Sequence, residues 1–248
     1  MTYFGSASTL YRILRNKNAL RHRQESKKQI SRSKPQLMTV TASNQIWAWD
    51  ITWLRTDVQG QFKYAYTIID LYDRVIVGWS IEENESDAHA TALFRRVIRD
   101  QQVIPQFVHA DNGNPMRGVT LASFLDKLLI SRSYSRPRVS NDNAFIESWH
   151  KTLKYTVGYP KFFTSLEHAR AWYADFIQWY NSNHLHSGLS YVTPLQCRTG
   201  EADGIYARRN ETLREARKKN PSRWRQNKVR IYKLLQVNAP IRLLKIAS

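Results

Sequence analysis

The stretch IWAWDITWLRT, residues 46–56, limits the possible folds more than any other part of the chain. Trp47, Trp49, Ile51 and Trp53 fall on one side of an extended chain, whereas Ala48, Asp50 and Thr52 fall on the other. A period of two with three tryptophans predicts a strand with a thick core on one face. The second face is small, and it holds an acid at mid-strand, where an unpaired carboxylate is costly. Asp50 is therefore the first candidate site residue.

Two more strands follow, QFKYAYTIID (61–70) and RVIVGWSI (74–81), joined closely enough for an antiparallel hairpin. Ser86 and Asp87 are cap candidates for a helix over 86–101, with Ala88, Leu93, Val97 and Ile98 on its apolar side. IPQFVHA (104–110) reads as a fourth strand, GVTLASFLDKLLI (118–130) as a helix and SRSYS (131–135) as a short fifth strand. This order predicts an α/β fold with a mixed five-stranded sheet flanked by helices, its first strand beside its fourth. The words HADNGNPMRG (109–118) end the fourth strand on Asp111. Asn112, Gly113 and Pro115 then turn the chain away, so the Asp111 carboxylate is expected to stay uncovered at the C-terminal edge of the sheet.

A third acid lies in SRPRVSNDNAFIESWHKTLKY (135–155). Ser140 to Asn143 supply polar caps, and Ile146, Trp149 and Leu153 make the buried stripe of a helix. Glu147 lies off that stripe, with Lys151 and Lys154 four and seven residues on and sharing its face. Carboxylates from two strands and a helix supply the hard oxygen ligands that Mg²⁺ or Mn²⁺ prefers. Two such ions would serve phosphoryl transfer by in-line displacement. Asp50, Asp111 and Glu147 are thus read as catalytic and metal-binding residues. Asp70 and Asp73 flank the hairpin turn and read as structural. His184 and His186 suggest a metal pair only weakly, since no cysteine accompanies them.

Charge narrows the substrate. The net charge is +18, and it is carried at the ends. Residues 1–40 hold nine basic residues against one acid and residues 198–248 hold fourteen against four, while 41–197 is neutral. Cationic arms on a balanced core fit a polyanion such as DNA. The single cysteine, Cys197, permits no internal disulfide. No apolar run approaches a membrane span, and no secretory signal opens the chain, so a cytoplasmic, nucleoid-associated protein is expected. Near the N-terminus, Ser6 is a candidate cap for a short helix carrying Leu10, Ile13 and Leu14. A lone amphipathic helix cannot bury its apolar face. It is expected to be what remains of a helical module whose earlier helices are missing.

Asp50, Asp111 and Glu147, with 35 residues between the last two, resemble the Asp-Asp-35-Glu signature of retroviral-integrase-like transposases. WAWDITWL, HADNGNPMRG and SRPRVSNDNAFIESWHKTLKY are similar to catalytic segments of bacterial insertion-sequence transposases of the insertion-sequence-three family. Lys154 stands where that family has a basic residue near the DNA end. The segment WYNSNHLHSGLSYVTPLQ also resembles the family, with Tyr180, Asn181, His186, Leu189, Thr193 and Pro194 in place. Leu185 departs from it, since an Arg is common just before the His.

The resemblance implies a ribonuclease H-like fold, divalent metal, and DNA strand cleavage and strand transfer. It implies a partial helix-turn-helix remnant and basic linker over 1–40, a catalytic core over 41–160 and a helical, basic extension over 161–248. The implied DNA contacts are Asn112, Arg136, Arg138, Lys151 and Lys154, which position phosphates rather than read bases. The implied partners are DNA ends and target, further copies of the chain, and an upstream helix-turn-helix protein from another reading frame. A ribonuclease H-type nuclease and an inactive DNA-binding remnant are the alternatives. The basic stretch 205–233 reads as a helix to about Lys219 with a turn at Pro221.

Overall fold

The computed structural model describes residues 6–17, 36–111, 113, 115–135, 143–224 and 230–241. The chain forms two units, residues 1–34 and residues 35–248. In the first, helix α1 (Ala7–Asn16) starts where Ser6 accepts a hydrogen bond from the Thr9 N–H at 3.3 Å. Leu10, Ile13 and Leu14 are each between 39 and 45% exposed, so the apolar side of α1 is only partly covered.

The second unit is built on a five-stranded sheet. Its strands are β2 (Ile46–Arg55), β3 (Phe62–Asp70), β4 (Ile76–Glu82), β5 (Phe107–Ala110) and β6 (Ser131–Tyr134), in the order β4-β3-β2-β5-β6. β2, β3 and β4 form an antiparallel meander, and β5 and β6 add in parallel beyond β2. The sheet is therefore mixed, with the first of its strands beside the fourth, as the sequence predicts.

The alternation in β2 separates two cores. Trp47 and Trp49 pack with Tyr66 and Ile68 under α2 (Asp87–Gln101) and α3 (Val119–Lys127), through Leu93, Phe94, Leu121 and Leu125. Trp49 meets Phe94 edge-on, with ring centroids 5.7 Å apart. Ala48 and Leu54 face the other way, toward α4 (Ala144–Lys154) and α5 (Leu166–Ser182). Ile146, Trp149 and Leu153 of α4 are buried there, together with Tyr173, Phe176, Ile177 and Tyr180 of α5. Truncating one of these large side chains to Ala costs about 2–5 kcal/mol.

The loop after β5 is pinned from outside. Ser86 caps α2 by accepting from the His89 N–H at 3.1 Å, and Asp87 accepts from the Thr120 N–H of α3 at 3.0 Å. A Cβ on Gly118 would lie 2.1 Å from the Cβ of Asp87, so only glycine lets the two helix starts come this close.

Past α5 the chain runs through α6 (Pro194–Arg198) and the long basic α7 (Glu201–Lys219), followed by a turn of 3₁₀ helix at Pro221–Arg223. It returns as β7 (Val237–Ile241), antiparallel to β1 (Gln36–Val40). This ribbon was not foreseen. Val40, Val237, Ala239 and Ile241 bury into the same core as α4 and α5. Among the described residues, no helix is long and apolar enough to cross a membrane.

Candidate active site

The register of β2 against β5 sets the site. The parallel pairs are Ile46↔Phe107, Trp47↔Val108 and Ala48↔His109, and there the ladder stops. Asp50 on β2 and Asp111 just past the end of β5 each stand two residues beyond the last pair. β5 ends at Ala110 while β2 runs on to Arg55, so Asp50 occupies the stretch of β2 whose neighbour has turned away. Ligand crevices form at strand ends of this kind.

The turn that follows is held by Asp111 itself, whose Oδ1 accepts from the Gly113 N–H at 2.8 Å. A Cβ on Gly113 would lie 3.0 Å from that oxygen, which explains a small residue two places after the acid. His109 is buried beneath, with Nδ1 2.9 Å from Ser133 Oγ and Nε2 3.3 Å from Ser135 Oγ. These bonds tie the end of β5 to β6 and fix where Asp111 begins.

α4 supplies Glu147, half-buried beside the predicted stripe. Asn143 sits at the N-cap position, but its side chain makes no capping bond, which departs from the polar-cap expectation there. Ser140, Asn141 and Asp142, and the expected DNA contacts Asn112, Arg136 and Arg138, lie outside the described residues.

Burial pushes the Asp50 carboxyl up to about 7, and the charges of Asp111, then Glu147 and Glu85, add to it, against one lowering bond from the Ile51 N–H. Both of the other predicted acids therefore lie close enough to act on Asp50 electrostatically. Among the described residues, no three of His, Cys, Asp and Glu are gathered as a ready metal cluster. The donor chemistry nevertheless suits a divalent ion, since mutually repelling carboxylates are stabilised by a hard cation held between them.

Lys151 and Lys154 are exposed on the Glu147 side of α4, as predicted. Burial lowers Lys154, while Asp50 opposes that shift and Arg55 adds to it, so Lys154 and Arg55 form a cationic border to the acids. Sequence reasoning missed three neighbours: Arg55, Glu85 and His150. The His150 Nδ1 lies 3.6 Å from Asp50 Oδ2, and burial, then Lys154, takes the imidazole down to about 3, so it is neutral. Its place three residues after Glu147, between the stripe residues Trp149 and Leu153, was the available signal.

Other singled-out residues prove to be scaffolding. Asp70 and Asp73 are fully buried, and Arg198 of α6 bridges them, donating to Asp70 Oδ2 at 3.0 Å and to Asp73 Oδ2 at 2.7 Å. His184 and His186 pack on Tyr180, with ring centroids at 5.2 and 6.3 Å, and His186 Nδ1 accepts from the Gly188 N–H at 3.0 Å. Thr193 and Gln196 form a reciprocal capping box at the start of α6, with Pro194 in its first turn. Leu189 is fully buried, whereas Leu185 is exposed.

Two family profiles, both described as Integrase core domain, match residues 40–140 and 128–194. The transposase for insertion sequence element IS904 from Lactococcus lactis subsp. lactis (strain IL1403) is 31% identical over 161 residues, covering 64% of this chain and 63% of the relative. Transposase InsF for insertion sequence IS3A from Escherichia coli (strain K12) is 35% identical over 159 residues, covering 62% of this chain and 53% of the relative. The chain thus spans less than two thirds of the length of these relatives. A chain of the simian T-cell lymphotropic virus intasome, solved by cryo-electron microscopy, matches with a TM-score of 0.51 at 15% identity, over 69% of this chain and 60% of its own, and the fold is shared. The matched profiles, the two transposases and the mixed sheet agree: this chain carries an integrase core domain across residues 40–194 and is similar in sequence to the transposases of IS904 and IS3.

Proposed function

We propose that the chain is the catalytic part of a transposase that cleaves DNA strands and joins them to new sites, with Asp50, Asp111 and Glu147 as its catalytic acids. The observation that carries this reading is the placement of Asp50 and Asp111 side by side where β5 leaves β2, with Glu147 close enough to raise the Asp50 carboxyl.

The three carboxylates would hold Mg²⁺ or Mn²⁺. When bound, such ions lower the pKa of a water or a DNA 3′-hydroxyl and stabilise the departing oxygen during in-line displacement. The chain's own residues supply the rest. His150, neutral and packed behind Asp50, limits how the carboxylate turns. Lys151 and Lys154 meet the phosphates beside Glu147 and orient the strand. No covalent protein intermediate is needed, because each step exchanges one phosphodiester oxygen for another.

The partners implied are DNA ends and target DNA, further copies of the chain to bring two ends together, and an upstream helix-turn-helix protein to recognise the ends. Arg136, Arg138 and Asn112 are proposed as further DNA contacts, in a cytoplasmic, nucleoid-associated protein. The test is a branched oligonucleotide that mimics a joined product, incubated with Mn²⁺ and the protein. Resolution of the branch by the wild type and not by Asp111→Asn supports the reading. Hydrolysis without any strand joining would favour a nuclease, and DNA binding without chemistry would favour an inactive remnant.

A further inference from the structure

An open cavity of about 780 Å³ lies between the C-terminal end of α4 and the outer side of α5, and it shares no lining residue with the three acids. Its floor is a run of rings in contact. Trp172 and Phe176 stack with centroids 5.2 Å apart and planes nearly parallel at 6°, Phe176 and Trp179 are 5.5 Å apart and tilted by 34°, and Trp179 and His184 are 5.2 Å apart and tilted by 48°. Tyr155 forms the opposite edge, 86% exposed, and Trp179 is 41% exposed. Aromatic surface left uncovered in one concave place marks a binding site.

Three features favour a nucleobase as the occupant. Trp172 and Phe176 lie parallel, the rings of Trp179 and His184 tilt away from them in turn, and the exposed Trp179 offers a face on which any base can stack. The edges are polar: Thr152 and Thr156 carry hydroxyls and Asp175 a carboxylate, which suit the exocyclic amino groups of bases and would be costly to bury under an apolar protein surface. The charge is also placed correctly. Lys151 is four residues before Tyr155 and Lys154 is its neighbour, so the cationic side of α4 runs into the aromatic edge. From Glu147 to Tyr155 is about 12 Å along the helix, roughly three to four stacked nucleotides of one strand.

We infer that this groove holds one or two unpaired bases of a DNA strand whose phosphates lie along Lys151 and Lys154. The inference rests on the reading of the chain as a DNA-processing protein, and it adds a site that distinguishes single from double strands.

The experiment measures binding of a fluorescein-labelled fifteen-residue oligothymidylate and of a blunt fifteen-base-pair duplex by anisotropy, in EDTA at low salt. The proteins are the wild type, Trp179→Ala, Trp179→Phe and Tyr155→Ala, each checked by circular dichroism. The expected result is about a tenfold loss of single-strand affinity for the two Ala variants, duplex binding unchanged, and recovery in Trp179→Phe. If folded variants bind the single strand as the wild type does while duplex binding persists, the groove proposal is overturned and the DNA reading stands. If the wild type binds neither probe, the DNA reading fails and the groove proposal with it. If light scattering shows that Trp179→Ala turns a dimer into a monomer with strand affinity intact, the groove belongs to a second copy and the proposal is overturned. Should Trp179→Ala not fold, the outward-facing Tyr155→Ala decides.

Discussion

Asn181 bonds both main-chain polar groups of Ile76: its Oδ1 accepts from the Ile76 N–H at 3.0 Å and its Nδ2 donates to the Ile76 carbonyl at 3.1 Å. β4 is an edge strand of the sheet, so this amide on α5 stands in for a missing strand at the point where β4 begins. Asn181→Leu keeps the volume and strips both bonds. We expect a loss of about 1–3 kcal/mol, read from the shift of the urea midpoint, with branch resolution per folded molecule unchanged. A large loss of activity at unchanged stability would mean that Asn181 serves the chemistry instead.

Much of this organisation was legible because it is local. The alternation around Asp50 separated the two cores residue by residue, and the stripe Ile146, Trp149, Leu153 left Glu147 on a free side of its helix. The strand order put β2 beside β5, which was enough to bring Asp50 and Asp111 together. What stayed hidden depends on pairings between distant segments. Thr39 meets Asn238 across 199 positions in the β1–β7 ribbon, and Arg198 reaches Asp73 across 125. Neither strand of the ribbon carries a strong alternation, and Arg198 reads as one more charge at the start of a basic tail. His150 and Glu85 were passed over for a related reason, since each gains meaning only from the carboxylate that the fold places beside it.

Arg198 is expected to be the costliest single cation to remove. Arg198→Met strips Asp70 and Asp73 of the guanidinium that hydrogen-bonds both and leaves the buried pair with the more distant charge of Arg74 alone, and truncating one side of such a pair costs about 3–5 kcal/mol. Acid should partly rescue the variant. Burial and the neighbouring Asp73 already raise Asp70 to about 6 in the wild type, and a raised carboxyl contributes stability at low pH that is lost as pH climbs through that value. Urea midpoints of Arg198→Met at pH 5 and pH 7 test this. A midpoint no higher at pH 5 than at pH 7 would sink the explanation.

His186 gives the opposite pH dependence. Burial first, then Arg74 and His184, lowers the imidazole from its ordinary 6.5 to about 4. The unfolded chain therefore takes up the proton sooner than the folded one, and stability that is complete above pH 6.5 declines as pH falls toward 4. Because the ring is partly exposed, about 1–2 kcal/mol is expected rather than the full linkage value. His186→Asn, whose side-chain oxygen can still accept from the Gly188 N–H, should show a smaller decline between pH 7 and pH 5. Equal declines in the two proteins would place the acid sensitivity elsewhere.

Asp50 links stability to the proposed metal. Its carboxyl faces the charges of Asp111, Glu147 and Glu85, with the neutral His150 3.6 Å away and the Lys154 ammonium as a partial, exposed counter-charge. In EDTA at pH 8 the charged acid is a liability, and Asp50→Asn removes the charge at nearly constant shape. The variant is expected to melt about 2–4 °C above the wild type, the shift that roughly 1 kcal/mol produces in a unit of this size. Millimolar Mn²⁺ should reverse the order, raising the wild-type melting temperature while leaving Asp50→Asn nearly where it was. A variant less stable than the wild type in EDTA would show that Asp50 is held for its contact with α4. A wild type that ignores Mn²⁺ would remove the metal from the reading of these three acids.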